Sequence, residues 1–207
     1  EEEKDLEFYN SYLLLTYDVT DTATPVKLVH STSNVAKMIV EEQEITPTTE
    51  YTFSETGEQT VTILLQDETT IPAEMFAGCI KLKRITVPQA VTTIEENAFN
   101  SCVSLTSATI GKNVSEIGEQ AFSYCSSLEN IVCEGETAPT ITSTTFENVK
   151  VGGLLEVPEG AKENYTDWIT ANTYNLGYYQ WYLISGVVNG TIDLTTAIDG
   201  VYAVAKN

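Results

Sequence analysis

The sequence predicts an α/β solenoid built from 23-residue repeats, flanked by an N-terminal all-β segment and a C-terminal β cap. The octets AFNSCVSL (residues 98–105) and AFSYCSSL (residues 121–128) are nearly identical and lie 23 residues apart. A looser copy, MFAGCIKL, occupies residues 75–82. A constant period in the low twenties indicates a solenoid, in which each repeat is one structural unit stacked on the next.

Apolar residues that recur at the same 23-residue step form the predicted core. The residues between them vary among Thr, Ser, Asn, Glu and Lys, as expected for a solvated surface. The predicted core comprises Leu82, Ile94, Phe99, Cys102, Leu105, Ile117, Phe122, Cys125 and Leu128.

Each repeat is predicted to contain one strand and one short helical turn. In residues 82–88 (LKRITVP), Ile85 and Val87 are two apart and should point inward, because side chains alternate along a strand. The following segment, VTTIEENAFNSC (residues 91–102), has apolar residues at steps of three and four, which favour a helical turn on the other side of the core.

The pattern L-x-x-[IA]-x-[VI]-x-x-x-V-x-x-I-x-x-x-A-F-x-x-C resembles the BspA-like leucine-rich repeat, a family of bacterial surface proteins. The resemblance covers residues 63–168, about half of the chain. It implies a curved right-handed solenoid with parallel strands on one face, extracellular display and, in some members, adhesion to host proteins or other cells. The copy after Leu128 departs from the pattern, because it is one residue longer before Phe146 and lacks the cysteine.

Three parts are predicted along the chain. Residues 1–60 form a small all-β domain or cap, residues 61–168 the leucine-rich repeat solenoid, and residues 169–207 a β-rich C-terminal cap. The phrase YTFSETGEQTVTILL (residues 51–65) resembles the last hairpin of PKD or immunoglobulin-like sandwiches. The N-terminal segment therefore either covers the open end of the solenoid or forms a separate binding module.

The charge balance argues against several classes of partner. Thirty acidic residues against ten basic ones give a formal net charge of −20. Nucleic acid is not an expected partner, because phosphate binding depends on clustered Lys and Arg, and the single cluster is Lys81, Lys83 and Arg84. No run of 18 or more apolar residues is present, so no membrane-spanning segment is predicted.

The chain opens with EEEKDLE, which suggests that a leader was removed before Glu1. We expect an exported protein, located outside the cell or on its surface, with the possibility of a lost lipid anchor. A solvated charged terminus is the alternative interpretation.

Little in the sequence suggests catalysis. The single histidine, His30, lies near Ser31 and Ser33 without a G-x-S-x-G motif. No C-x-x-C pair, calcium-loop motif or phosphate-binding glycine motif is present. We therefore predict no enzyme activity, no catalytic residues, no metal site and no cofactor, and we predict that the recurring cysteines are reduced thiols.

The predicted binding site lies on the outward side of the strands and serves a protein or cell-surface ligand. Its residues are Arg84, Thr86, Ser107, Thr109, Asn130 and Val132. The alternative is a carbohydrate site formed by the C-terminal aromatic residues Tyr178, Trp181 and Tyr182.

Overall fold

The structure is a computed structural model that describes residues 10–170, Leu176, 181–185, 187–188 and 191–192. The strands in these ranges are β1 (Tyr12–Val19), β2 (Val26–Lys27), β3 (Val35–Val40), β4 (Gln43–Ile45), β5 (Glu50–Tyr51), β6 (Gly57–Leu65), β7 (Thr70–Ile71), β8 (Leu82–Thr86), β9 (Thr93–Ile94), β10 (Ser107–Ile110), β11 (Glu116–Ile117), β12 (Asn130–Cys133), β13 (Leu154–Val157), β14 (Tyr182–Ser185), β15 (Val187–Val188) and β16 (Thr191–Ile192). A 3-10 helix (Lys162–Tyr165) leads directly into a one-turn α-helix, α1 (Thr166–Ile169).

The repeats stack as a mostly-β solenoid with about four turns. Strands β8, β10, β12, β13 and β14 are parallel neighbours in one nine-stranded sheet. Ser107 lies opposite Arg84 on one side and Asn130 on the other, so the 23-residue sequence step is also the step between adjacent strands. A second parallel sheet, formed by β7, β9 and β11, lies in the other half of each turn.

The predicted core is confirmed, because each of its nine residues is at most 1% exposed. The phenylalanines stack along the solenoid axis. Ring centroids are 5.1 Å apart for Phe76 and Phe99, 4.9 Å for Phe99 and Phe122, and 5.4 Å for Phe122 and Phe146. Trp168 ends the stack at 5.5 Å from Phe146.

The predicted helical turn over residues 91–102 is wrong, because the structure has a series of tight turns there. Asn97 and Ser101 have positive φ angles of 55° and 61°, which a right-handed helix does not allow. The amide of Asn100 donates to the carbonyl of Asn97 in a four-residue turn, whereas the amide of Phe99 donates to the carbonyl of Ala121 in the next repeat. Backbone hydrogen bonds that alternate between the turn and the neighbouring repeat replace the helical ladder, so the repeats are not α/β units.

The N-terminal segment joins the solenoid through strand β1. This strand lies antiparallel between β6 and β8, with Leu15 opposite Val61 on one side and Ile85 on the other. Its inward side chains belong to the same continuous core as the repeats. The predicted boundary between residues 60 and 61 falls inside β6.

The last described turn is closed by aromatic residues that reach back to the preceding loop. The Trp168 indole donates to the carbonyl of Pro139 at 3.1 Å, and the Tyr165 hydroxyl donates to that of Gly135 at 2.7 Å. Farther along the chain, Trp181 packs on Gly153, where an added Cβ would lie 2.4 Å from the indole ring. Much of the stretch 171–207 falls outside the described residues, so the C-terminal β cap stays a prediction.

Candidate protein-binding surface

The six residues predicted for protein binding lie side by side on the outward side of the nine-stranded sheet. They form two rows of cross-strand neighbours on β8, β10 and β12. One row is Arg84, Ser107 and Asn130, and the other is Thr86, Thr109 and Val132. All six are partly or fully exposed.

Strands β1 and β6 extend both rows. Thr16 lies opposite Arg84 and Thr60, and Leu14 lies opposite Thr86 and Thr62. We call the resulting set of exposed and partly exposed residues the outer strand face, formed by Leu14, Thr16, Thr60, Arg84, Thr86, Ser107, Thr109, Asn130 and Val132. With strands about 4.8 Å apart, its five strands span roughly 19 Å.

Sequence reasoning did not identify the part of this surface on β1 and β6, because β1 carries no 23-residue period. The run Leu13-Leu14-Leu15 also hides the alternation, since Leu14 points outward between two buried leucines. Only the pairing of β1 with β8, which places Leu14 opposite Thr86, shows that Leu14 belongs to the surface.

Arg84 is the only charged residue on the outer strand face, and its charge is balanced locally. Arg84 forms a two-pronged ion pair with Glu58, and Lys83 Nζ lies 2.8 Å from the same carboxylate. The hydrogen bonds from Arg84 and Lys83 lower the pKa of Glu58 to about 2. Within the outer strand face little net charge is left, although the chain carries −20 and Glu156 of β13 continues the second row beside Val132. Depletion of charge is typical of the central part of protein–protein interfaces.

A family model of the BspA-type leucine-rich repeat region matches residues 46–163 as six copies, which is more than half of the chain. The chain belongs to the BspA-type leucine-rich repeat family. No curated protein and no solved structure matches it significantly. In this BspA-type protein the match includes β6 and β8, whereas β1, which separates these strands in the sheet, precedes the matched residues.

The alternative carbohydrate site is not assembled as a single aromatic platform. Trp181 is a core residue, 4% exposed, and its indole donates to the carbonyl of Lys150 at 2.7 Å. Tyr182 lies on the opposite side of the strand, in register with Leu154, and Tyr178 lies outside the described residues. Sugar binding through Tyr178 and Tyr182 stays a prediction. A glycan array that compares the wild type with Tyr182→Ala would test it.

The histidine and the cysteines of this BspA-type protein lie in surroundings that do not activate a nucleophile. His30 is exposed, and the nearby hydroxyls of Ser31 and Ser33 hydrogen-bond to each other. Burial raises the pKa of Cys79, Cys125 and Cys133 to about 12, which disfavours the reactive thiolate.

Among the residues whose positions are described, no group of three or more His, Cys, Asp or Glu side chains is placed to hold a metal ion. Across those residues, no helix combines the length and apolar character that a membrane crossing requires.

Proposed function

We propose that this BspA-type protein is a non-enzymatic interaction module, exported from the cell or held at its surface, that binds a protein or cell-surface ligand through the outer strand face. One observation carries the proposal: nine outward residues from five adjacent strands lie in neighbouring register positions with a single charged member, Arg84, which is itself paired. Family membership supports a repeat scaffold of the kind that bacteria display on their surface.

The composition of the outer strand face supports a protein partner. Most of its side chains are Thr or Ser, or the aliphatic residues Leu14 and Val132, held in fixed positions by the strands. Such side chains lose little conformational freedom on binding, because the β-branched ones already have restricted rotamers in a strand. A rigid surface of this kind suits a partner of complementary shape.

The test places a charge at the centre of the outer strand face. Thr109 lies in the middle strand of the solenoid part of the face, so Thr109→Arg would leave an uncompensated charge inside the interface. Thr93→Arg is the matched control, because Thr93 is also a partly exposed strand threonine but lies on the second sheet. Both variants should unfold within about 0.5 kcal/mol of the wild type in urea, as surface substitutions normally do.

Binding would be measured on an array of secreted proteins and cell-surface ectodomains, with affinities then determined by biolayer interferometry. We expect the wild type and Thr93→Arg to bind the same partners, and Thr109→Arg to bind them at least tenfold more weakly. Equal binding by all three proteins would reject the outer strand face as the site. An array without any partner would count against a protein-binding role.

A further inference from the structure

The stretch from β1 to His30 lies between two segments that the repeat pattern makes neighbours. Leu15 of β1 pairs with Val61 of β6 on one side and with Ile85 of β8 on the other. Because β1 is antiparallel to both strands, β6 and β8 are parallel to each other, with Val61 and Ile85 in equivalent positions 24 residues apart. Strands β8 and β10, one repeat farther on, pair directly. We call residues 12–30, which separate β6 from β8, the strap.

The strap is also interposed between the segments that lead into β6 and β8. The amide of Leu28 donates to the carbonyl of Thr49, which precedes β6, at 2.8 Å. The carbonyl of Leu28 accepts a hydrogen bond from the thiol of Cys79, which precedes β8, at 3.4 Å. Leu28 itself is fully buried. The strap therefore contacts both repeats outside the sheet as well as within it.

The aromatic stack shows the same separation. Phe53 lies 23 residues before Phe76, so the repeat pattern places the two rings in one stack. Phe53 is buried, but its ring meets Tyr51 edge-on with ring centroids 5.1 Å apart, whereas Phe76 stacks on Phe99. The inserted strap explains why the stack of phenylalanines begins at Phe76.

Turns of adjacent repeats are joined by two backbone hydrogen bonds and one thiol contact. The amides of Phe76 and Gly78 donate to the carbonyls of Ala98 and Asn100 in the next repeat, each at 2.8 Å. The carbonyl of Phe76 accepts the hydrogen bond from the thiol of Cys102. The same three contacts recur one repeat later. Each turn therefore needs two donors and one acceptor from the segment before it.

The strap supplies all three groups to the first of these turns. The amide of His30 donates to the carbonyl of Met75 at 2.7 Å, in the place of a phenylalanine amide. The ammonium group of Lys27 donates to the carbonyl of Ala77 at 2.6 Å, in the place of the second backbone amide. The carbonyl of Leu28 is the acceptor for the thiol.

The strap runs in the opposite direction to the turn that it replaces. In a repeat the three groups occur in the order Phe76 amide, Phe76 carbonyl and Gly78 amide. Their substitutes occur in the reverse order, with Lys27 first, Leu28 second and His30 last. Strand β1 is likewise antiparallel to both of its neighbours. A reversed segment presents its side chains in another order, which explains why the strap lacks the 23-residue pattern.

We propose that the strap is an inserted turn of the solenoid, reversed in direction, that holds the repeats of β6 and β8 together. The N-terminal segment is then part of the scaffold rather than a separate binding module. Leu14 and Thr16 belong to the strap, so it also supplies two residues of the outer strand face. The inference goes beyond the proposed function, because it concerns how the scaffold is held together and applies whatever that face binds.

The first test removes the ammonium group of Lys27 and keeps most of its apolar stem. A hydrogen bond from a charged donor contributes more than one between neutral groups, so Lys27→Met should lower the thermal midpoint by about 3–12 °C. Lys37→Met is the matched control, since Lys37 is exposed and its ammonium lies 3.9 Å from the Glu44 carboxylate. The control should shift the midpoint by no more than about 2 °C. Equal midpoints for the two variants would overturn the assignment of Lys27 as a substitute for a backbone donor.

The second test cuts the strap from the folded chain. A protease cleavage sequence is inserted after Ser31, which is exposed in the connection between the strap and β3. The uncut insertion protein, with the circular dichroism spectrum of the wild type, is the reference. After cleavage, the fragment that carries the strap should elute with the remainder in size-exclusion chromatography. In the Lys27→Met background this fragment should dissociate at least tenfold faster, as followed by native mass spectrometry.

The opposite result of the cleavage test is equally clear. A fragment that leaves while the remainder keeps its native circular dichroism spectrum would overturn the inference, because the N-terminal segment would then be a separate module. Neither test uses a binding partner. Failure of the inference is therefore distinguishable from failure of the outer strand face as a binding site.

Discussion

The thiol of Cys102 donates a hydrogen bond to the carbonyl oxygen of Phe76 in the preceding repeat, at 3.1 Å. Cys125 makes the same contact with Phe99 at 3.2 Å. The first cysteine of the series, Cys79, donates instead to the carbonyl of Leu28 in the N-terminal segment at 3.4 Å. The recurring cysteine therefore fills the core. It also connects its repeat with the preceding repeat or, for Cys79, with the N-terminal segment.

Cys102→Ala should lower the free energy of unfolding by about 1–3 kcal/mol, because it leaves a small cavity and removes this hydrogen bond. Cys102→Val should cost less, since valine fills the space and Val149 already occupies the corresponding position of the last copy, where it is 5% exposed. Urea denaturation followed by circular dichroism would measure both. A valine variant less stable than the alanine variant would contradict the packing role.

Phe99→Ala should lower the free energy of unfolding by about 3–5 kcal/mol, because Phe99 is fully buried between Phe76 and Phe122. Val103→Ala is a suitable control four residues away, since Val103 is 40% exposed and should change stability by no more than about 0.5 kcal/mol. A loss below 1 kcal/mol for Phe99→Ala would show that the aromatic stack is not a major source of stability.

All four cysteines are free and buried, and burial raises the pKa of Cys102 as well as those of the other three. We expect iodoacetamide at pH 8 to label the folded protein very slowly, because little thiolate is present. In denaturant without reductant, mass spectrometry should find four carbamidomethyl groups. Fewer than four would mean that some cysteines are oxidised.

The ion pair of Glu58 with Arg84 should make a small, pH-dependent contribution to stability. The pKa of Glu58 is about 2 in the folded protein, below its ordinary value of 4.5, so the contribution is present above the ordinary pKa and is lost as pH falls toward 2. Urea unfolding of wild type and Glu58→Gln should differ slightly at pH 7 and converge at pH 2. Glu55→Gln, also exposed and close in sequence, should follow the wild type throughout. If the difference in unfolding free energy between the wild type and Glu58→Gln grew on acidification, the prediction would be contradicted.

The repeat region could be predicted from the sequence because its information is periodic. Residues 23 apart occupy equivalent environments, so the pattern of Phe99 and Phe122, or of Cys102 and Cys125, reports burial directly. The same period set the strand register, and with it the two rows of outward residues from Arg84 to Val132. The helical turn was predicted wrongly because apolar spacing does not reveal the positive φ of non-glycine residues such as Asn97 and Ser101.

The repeating residues, their burial and the alignment of adjacent strands all follow from the 23-residue period. Three other features follow from tertiary packing instead: β1 enters the sheet between β6 and β8, Leu14 joins the outer strand face, and Trp181 is buried on Gly153. Each of them depends on a contact between segments that share no period and lie tens of residues apart. No local sequence pattern encodes such contacts, because they depend on how well the packed segments bury one another's apolar surface.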